Sequence, residues 1–178
     1  MRVQRFSEHR AMPWTNGKGT SYEVVSDRDT SDHWSWRVAI APVVQDGPFS
    51  SLTGVDRELV VIDGNGMVLD VDGQSIKCLP NQVVQFSGDA TTFARLVDGP
   101  VVDLGLMTLR SSVSGSMNVA HAGDVVQCDV LVSNGQSVLE DAIGHRYMLE
   151  ANDALLDVRG HHLVLKSGTA ISIRINSL

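Results

Sequence analysis

Large apolar side chains alternate with small or polar ones along Trp34-Ser35-Trp36-Arg37-Val38-Ala39-Ile40-Ala41. Successive side chains of a β-strand point to opposite faces, so this period of two predicts a strand with one apolar face. The same period returns near the end of the chain, in residues 170–175. Between the two stretches, short apolar runs are separated by turn dipeptides such as Asp72-Gly73, Asn134-Gly135 and Ser167-Gly168. Frequent short strands with such turns predict an all-β sandwich or barrel.

The sequence has a weak internal repeat of its strand pattern, which indicates two similar halves. A series of predicted hairpins over residues 57–96 is followed by a second series over residues 125–175, and the segment between them, Arg110–Ser116, is rich in Ser and Gly. With 178 residues, the chain can bury one core or two small ones. We therefore expect a single compact unit over residues 1–178, built from two β-barrel halves at residues 1–110 and 117–178.

Composition narrows the classes of partner. The formal net charge is −7 and no run of like charges occurs, which disfavours binding to nucleic acid or to an anionic membrane. No apolar run approaches the roughly 18 residues that span a bilayer, and the N-terminus lacks the apolar core of a signal peptide. Cys78 and Cys128 lie in apolar, strand-like runs without metal-ligand spacing, so we expect buried thiols. These features predict a cytoplasmic protein.

Two short stretches, Pro13–Glu23 and Asp46–Ser50, contain more aromatic and hydrogen-bonding side chains than simple turns require. The first reads Pro13-Trp14-Thr15-Asn16-Gly17-Lys18-Gly19-Thr20-Ser21-Tyr22-Glu23 and the second Asp46-Gly47-Pro48-Phe49-Ser50. Glycines allow positive φ or close approach, aromatic rings provide rigid apolar walls, and amide, hydroxyl and carboxylate groups provide hydrogen bonds. That mixture is typical of a small-molecule pocket.

Strand parity places charged side chains beside small ones. Arg37 shares a strand face with Ala39 and Ala41, and Asp103 shares one with Gly105 and Met107. Small neighbours leave space for a ligand, and the planar guanidinium of Arg37 suits a carboxylate. The alternative is a structural ion pair of Arg37 with Asp103 or Glu23. Arg57, at the start of a predicted strand, is either a second anion ligand or a solvated charge.

The histidines do not form a recognisable metal site. No His-x-His pair occurs, and the adjacent His161 and His162 would face opposite sides of a strand. A Gly-x-Ser-x-Gly motif is also missing from the sequence. We predict no metal and no cofactor.

Together, these motifs resemble the HutD/Ves family. The resemblance runs through residues 13–107, in Pro13-Trp14-x-Asn16-Gly17-x-Gly19-Thr20-x-x-Glu23, Trp36-Arg37-x-x-Ile40-Ala41, Asp46-Gly47-Pro48-Phe49-Ser50, Gly54-Val55-Asp56-Arg57 and Asp103-Leu104-x-x-Met107. The resemblance implies a cupin-like (RmlC-like jelly-roll) double β-barrel, or bicupin, without the metal-binding histidines of cupins. It also implies a link to bacterial histidine utilisation for HutD and to stress response for Ves, without an established catalytic activity.

The chain departs from the family pattern at three positions. Lys18 stands where the pattern has glycine, Ala39 where it has serine and Gly105 where it has asparagine. The last two departures remove polar groups from the predicted pocket side. The ligand of this protein could therefore differ from that of relatives with the full pattern.

The sequence thus predicts a non-catalytic protein that binds a small carboxylate. The resemblance implies a regulator or sensor in histidine utilisation, with a ligand such as urocanate or formylglutamate. The predicted ligand-binding residues are Trp14, Asn16, Gly17, Gly19, Thr20, Glu23, Arg37, Phe49, Ser50, Arg57, Asp103 and Met107. One alternative is a metal-independent enzyme in which Glu23 or Asp103 acts as general acid/base with Arg37. Another is an interaction module without a ligand, which would have a filled interior near Arg37. The expected exposed strand edges are compatible with a homodimer.

Overall fold

The fold is built from β-strands throughout. The computed structural model describes residues 1–14, 17, 19–29 and 33–178. Over these residues it contains one 3-10 turn, Phe6–Glu8, and seventeen strands. The strands are β1 (Arg2–Gln4), β2 (Arg10–Pro13), β3 (Thr20–Ser26), β4 (Trp36–Val43), β5 (Gly47–Pro48), β6 (Val55–Asp63), β7 (Met67–Val71), β8 (Gln74–Cys78), β9 (Val83–Ser87), β10 (Thr92–Leu96), β11 (Val101–Leu109), β12 (Val113–His121), β13 (Val125–Val126), β14 (Val130–Asp141), β15 (Arg146–Leu149), β16 (Ala154–Leu156) and β17 (Leu163–Ser177). Within the described part of the chain, no helix is long and apolar enough to cross a bilayer.

The chain divides into two compact units. The larger unit comprises Arg10–Ser114 with Ser177–Leu178, and the smaller comprises Met1–His9 with Gly115–Asn176. Because β1 pairs with β16, the first residues of the chain fold with the smaller unit, although the sequence assigned residues 1–110 to one half. The boundary at Ser114 falls inside the predicted connector.

The larger unit consists of two sheets around one core. A six-stranded sheet has the order β2-β3-β4-β11-β6-β9, and a four-stranded sheet has the order β5-β10-β7-β8. Apolar side chains from both sheets, among them Val61 and Leu69, pack into one buried cluster. Cys78 belongs to this cluster, so its predicted burial is confirmed.

The register of the three central strands of the six-stranded sheet aligns side chains in rows. Arg37 on β4 and Arg57 on β6 are both cross-strand neighbours of Met107 on β11. Two residues along β11, Gly105 lies between Ala39 and Leu59. A further two residues along, Asp103 lies between Ala41 and Val61. Since alternate residues share a face, the two arginines and Asp103 lie on one face of this sheet.

The smaller unit consists of one seven-stranded sheet. Its main path is β1-β16-β14-β17-β12, with β13 paired to β17 and β15 paired to β14. Its core is apolar and includes the buried thiol of Cys128, as expected from the sequence.

Two predicted turns of the smaller unit are wrong. Asn134-Gly135 and Ser167-Gly168 lie inside the continuous strands β14 and β17. These strands pair with each other, and their register shifts between Asn134 and Val138. Three residues of β14 there face Gly168 of β17, which forms a bulge. The glycines supply the positive φ of the bulge, +88° at Gly135 and +85° at Gly168, instead of closing hairpins.

Candidate functional site

A cavity of about 290 Å³ lies in the larger unit, on the sheet face that carries the arginines and Asp103. Its floor comes from alternate residues of β4 and β11, and one side comes from the segment after β4. The lining residues are Met12, Pro13, Trp14, Ser21, Arg37, Ala39, Ala41, Val43, Gln45, Gly47, Pro48, Phe49, Ser50, Leu52, Arg57, Asp103, Gly105 and Met107. The cavity is large enough for a small organic acid and combines apolar walls with a few charged groups.

Arg37 enters the cavity without an anionic partner. Its Nη2 donates to the sulfur of Met107 at 3.2 Å, and its Cζ lies 4.8 Å from the ring centroid of Trp34. Among the described residues, no carboxylate forms an ion pair with it, and its buried Nε has no hydrogen-bond acceptor. Burial lowers the pKa of Arg37, but an arginine side chain keeps its proton in proteins, so Arg37 is positively charged. The guanidinium is therefore a free cation with donors available to a ligand.

Arg57 is held against aromatic rings. Its Cζ lies 4.9 Å from the ring centroid of Phe49 and 5.1 Å from that of Phe86, and Nη1 donates to the carbonyl oxygen of Ser50 at 3.3 Å. Burial lowers the pKa of Arg57 to about 10, against the opposing effect of the Asp103 carboxyl. Arg57 thus also carries a positive charge at neutral pH, with no ion pair to any described carboxylate.

Asp103 is the buried acid of the cavity. Only 4% of its surface is exposed, and its Oδ2 has no hydrogen-bond partner. Burial raises the pKa of Asp103 to about 7, although the Arg57 charge lowers it. A carboxyl group with this pKa is largely neutral in mildly acidic solution, so it can donate a hydrogen bond as well as accept one.

The indole ring of Trp14 forms part of the cavity wall and is held by contacts with Gly17, Gly19 and Ser21. The N–H of Trp14 donates to the carbonyl oxygen of Gly19 at 2.9 Å, and the indole Nε1 donates to Ser21 Oγ at 2.8 Å. A Cβ on Gly19 would lie 2.7 Å from the indole ring, so glycine is needed for the ring to lie there. Gly17 has a φ of +68° and donates its N–H to the carbonyl oxygen of Trp14.

The chemistry of these groups points to anion binding. Two guanidinium groups face one cavity, and Asp103, the one acid among its described lining residues, has a pKa of about 7 and is therefore neutral only below that pH. No group of three or more His, Cys, Asp or Glu side chains that could hold a metal ion occurs in the described part of the chain.

Comparison with known proteins assigns the family. The sequence pattern of the HutD family matches residues 6–173. The chain belongs to the HutD family. The family is linked to histidine utilisation, and its match extends well beyond the motifs at residues 13–107 that predicted it.

Two curated relatives share part of this sequence. A 21.2 kDa protein from the hutC 3' region of Pseudomonas putida is 35% identical over 60% of this chain and 57% of its own length. Protein Ves from Citrobacter koseri is 30% identical over 62% of this chain and 61% of its own length. The aligned region thus spans less than two thirds of each of these relatives.

Solved structures support the cupin-like fold of this HutD family member. HutD from Pseudomonas fluorescens, determined in a formate condition, superposes with a TM-score of 0.84 at 26% identity, covering 99% of this chain and 98% of that one. A cupin barrel-domain protein from Leptotrichia buccalis gives a TM-score of 0.58 at 7% identity over 88% of both chains, a likeness of fold alone. The predicted all-β, cupin-like class is therefore confirmed, while the double barrel stays a prediction.

The structure brings together most, but not all, of the predicted site residues of this HutD family member. Those in the cavity lining are Trp14, Arg37, Phe49, Ser50, Arg57, Asp103 and Met107. Those outside the lining are Gly17, Gly19, Thr20 and Glu23, of which the two glycines form backbone hydrogen bonds with Trp14. Asn16 and the family departure at Lys18 lie outside the described residues.

Glu23 has a structural environment. It is buried on β3, where its Oε2 accepts a hydrogen bond from Arg28 Nη2 at 2.6 Å and its Oε1 one from Ser26 Oγ at 3.2 Å. Arg37, the partner considered from the sequence, is not among these donors. Of the two acids considered for acid/base chemistry, only Asp103 faces the cavity.

Sequence reasoning missed several lining residues. Val43 continues the alternation of Arg37, Ala39 and Ala41 by one step, so extending the strand by two residues would have found it. Met12 and Leu52 carry no signal beyond apolar character, and they reach the cavity through tertiary packing beside the buried Met107.

Proposed function

We propose that this protein binds a small carboxylate in the cavity of its larger unit and acts as a regulator or sensor in histidine utilisation. The observation that carries the proposal is the pair Arg37 and Arg57, which line one cavity without an ion pair to any described carboxylate. Removing a charge from water is costly unless an opposite charge compensates it. A bound carboxylate would supply that charge and could accept two parallel hydrogen bonds from one guanidinium.

The family narrows the choice of acid. One relative is named for the hutC 3' region, and the HutD neighbour of known structure was determined in a formate condition. Urocanate and formylglutamate are acids of the size that the cavity could accept, and both carry a carboxylate that suits the arginines. The apolar walls formed by Trp14 and Phe49 would cover the hydrocarbon part of such a ligand.

Thermal unfolding in the presence of candidate acids tests the proposal. A ligand that binds only the folded state raises the melting temperature with its concentration. We expect urocanate or formylglutamate to raise the Tm of the wild-type protein in a concentration-dependent way, and Arg37→Ala to remove the rise. Glutamate and formate serve as shorter or more polar comparisons.

Arg95→Ala is the matched control because it removes the same charge outside the cavity. Arg95 lies on β10, is 57% exposed along its side chain and contacts Asp70 at 3.7 Å. This variant should keep the full rise in Tm. A folded protein whose Tm responds to none of the acids would overturn the proposal and favour an interaction module, although the open cavity beside Arg37 argues against the filled interior that such a module requires.

Asp103 supports a second candidate function, a metal-independent enzyme acting on a small organic acid. A buried carboxyl with a pKa of about 7 can both give and take a proton near neutral pH, and Arg37 or Arg57 would stabilise developing negative charge. The test is to follow each acid that binds by NMR for chemical change. Turnover that disappears in Asp103→Asn while binding persists would establish catalysis, whereas an unchanged acid supports the binding role.

A further inference from the structure

The two arginines and Asp103 of the cavity lie beside different positions of strand β11. Met107, between the two arginines, and Asp103 are separated by four residues of β11 on the same face. Four residues of an antiparallel strand span about 13 Å. The positions between them on this face are Gly105 and its neighbour Ala39, whose small side chains leave the floor open. The cavity therefore offers an arginine row and, further along, a single buried acid.

The surroundings of Asp103 give it few partners. Its cross-strand neighbours, Ala41 and Val61, carry no polar side-chain group. The charged or titratable groups that face it are Arg57 on β6, Arg37 on β4 and the thiol of Cys78 on β8. Burial raises the pKa of Cys78 to about 11, so the thiol is neutral throughout the physiological range. The unpartnered Oδ2 of Asp103 thus lacks any described donor that would favour a carboxylate.

A ligand carboxylate held by the arginines would act against ionisation of Asp103. Two negative charges in one poorly solvated cavity repel each other, and the second acid then keeps its proton. A protonated carboxyl group has an O–H to donate and is unsatisfied until an acceptor faces it.

We propose that Asp103 is the specificity-determining residue of the cavity, donating a hydrogen bond as a neutral carboxylic acid to an uncharged acceptor on the bound acid. This inference rests on the proposed carboxylate binding at the arginine row. It defines the ligand class as an acid that carries a carbonyl-type oxygen, or a comparable acceptor, at its other end. Simple fatty acids of equal length and zwitterions with an ammonium group at that end are disfavoured.

The proposal predicts that an acid with an uncharged acceptor binds more weakly as the pH rises. Below about pH 7 the free protein already carries the proton on Asp103, and the ligand meets a ready donor. Above about pH 7 binding must take up a proton, so affinity for an acceptor-bearing acid falls by up to tenfold per pH unit. A ligand with an ammonium group would need ionised Asp103 and would show the opposite trend.

Three probes with one five-carbon chain separate these cases: 4-oxopentanoate, pentanoate and 4-aminopentanoate. Binding is measured by NMR titration at pH 6 and pH 9 with the full-length wild-type protein. We expect 4-oxopentanoate to bind about tenfold more tightly than pentanoate at pH 6, and its affinity to be lower at pH 9 than at pH 6, because binding at pH 9 must take up a proton. We expect 4-aminopentanoate to bind more weakly than pentanoate at pH 6.

Two variants test whether Asp103 is the cause. Asp103→Asn keeps the shape and a neutral N–H donor, so the preference for 4-oxopentanoate should persist at both pH values. Asp103→Leu removes the donor, so the preference should vanish at both. Thermal unfolding of each variant verifies that it is folded, and Asp103→Asn alone decides the question if Asp103→Leu does not fold.

The possible failures are distinguishable. Equal binding of 4-oxopentanoate and pentanoate at pH 6 would overturn the inference and leave carboxylate binding intact. The inference would also be overturned if 4-aminopentanoate bound more tightly than pentanoate with an affinity that increased with pH. The same holds if a folded Asp103→Asn variant no longer preferred 4-oxopentanoate to pentanoate. If none of the probes and none of urocanate, formylglutamate, glutamate and formate binds at either pH, the proposed function itself fails and this inference with it.

Discussion

The guanidinium of Arg37 lies 3.2 Å from the sulfur of Met107, its cross-strand neighbour, instead of against a carboxylate. A thioether is a weak, uncharged acceptor, so it does not neutralise the positive charge of Arg37, which the field of the Glu23 carboxylate only partly offsets. A half-buried cation without a counter-charge reduces the stability of a fold unless its stem and ring contacts offset the desolvation. This relationship separates the contribution of Arg37 to stability from its contribution to ligand binding.

Replacement of Arg37 by methionine should therefore affect binding and stability differently. Arg37→Met keeps an unbranched, largely apolar stem but removes the charge. We expect the free energy of unfolding in urea to change by less than about 1 kcal/mol or to increase, because no ion pair is broken. We expect acid binding to weaken at least tenfold, since a charge-assisted hydrogen bond contributes about 1.5–3 kcal/mol.

Arg28→Met provides the contrast. Arg28 donates to the buried carboxylate of Glu23 at 2.6 Å, so its loss leaves a buried charge behind and should destabilise the protein by about 3 kcal/mol or more. Equal destabilisation by the two substitutions would show that Arg37 is a structural residue.

Stability should depend on pH through Asp103. Its pKa is about 7 in the folded protein, against an ordinary value of 3.8 that applies in the unfolded chain. Because the folded state retains a proton that the unfolded state releases, this group stabilises the protein fully below about pH 4, and the contribution is lost as the pH rises through 7. Asp103→Asn removes this dependence and should raise the free energy of unfolding relative to wild type at pH 8, by up to about 4 kcal/mol.

Urea unfolding of both proteins at pH 5 and pH 8 measures this effect. The difference between wild type and Asp103→Asn should be larger at pH 8 than at pH 5. A difference that stays constant between the two pH values would mean that Asp103 is ionised in the folded protein throughout, which contradicts its burial as the dominant influence on its pKa.

The sequence predicted the floor of the site because strand parity is a local property. Alternation along β4 and β11 placed Arg37 with Ala39 and Ala41, and Asp103 with Gly105 and Met107, and these residues line one cavity. Parity could not predict which strands pair, so the row Arg37, Met107 and Arg57 emerged only from the register. It also could not separate Glu23 from the site, because the ion pair with Arg28 depends on how the chain beyond β3 folds back.

Turn dipeptides were less reliable guides to the fold. Asn134-Gly135 and Ser167-Gly168 have the composition of hairpin turns, yet each lies within a long strand. A glycine indicates that the backbone adopts a positive φ at that residue, and positive φ occurs in β-bulges as well as in hairpin turns. Only the pairing of the partner strand distinguishes the two, and that pairing is not local.

Gly105 should control the depth of the cavity. A Cβ at this position would lie 3.8 Å from the Glu58 carbonyl oxygen and from Met107 Cε, which is ordinary contact, and its backbone is not left-handed. Gly105→Val should therefore be tolerated in the sheet, with the free energy of unfolding unchanged or increased by up to about 1 kcal/mol. Its side chain would occupy the floor between the arginine row and Asp103, so acid binding should be lost.

The smaller Gly105→Ala substitution tests whether the loss of acid binding depends on the size of the added side chain. Its single methyl group should weaken binding less than valine does while leaving stability equally intact. If Gly105→Val is folded and binds acids as tightly as wild type, the ligand does not pass over this part of the floor.

Gly168 should be the most sensitive glycine of the β14–β17 bulge. Its φ is +85°, and a Cβ would overlap the carbonyl oxygen of Gln136 and lie 2.9 Å from the Cα of Ser137. Both neighbours are backbone atoms of a paired strand and cannot move without breaking the bulge, whose buried Ser133 and Ser137 hydroxyls are hydrogen-bonded at 2.6 Å. Gly168→Ala should therefore destabilise the protein by more than 2 kcal/mol, by roughly 1 from the backbone conformation and the rest from the overlap.

Gly144→Ala isolates the contribution of the backbone conformation, because Gly144 has nearly the same φ, +83°, and nothing within 4 Å of an added Cβ. Gly144→Ala should lower the free energy of unfolding in urea by only about 1 kcal/mol, because alanine is disfavoured in the left-handed conformation by about that amount. The difference between the two variants then measures the close approach of β14 to β17. Equal losses would show that the bulge yields to an added methyl group, and that Gly168 is needed for its backbone conformation alone.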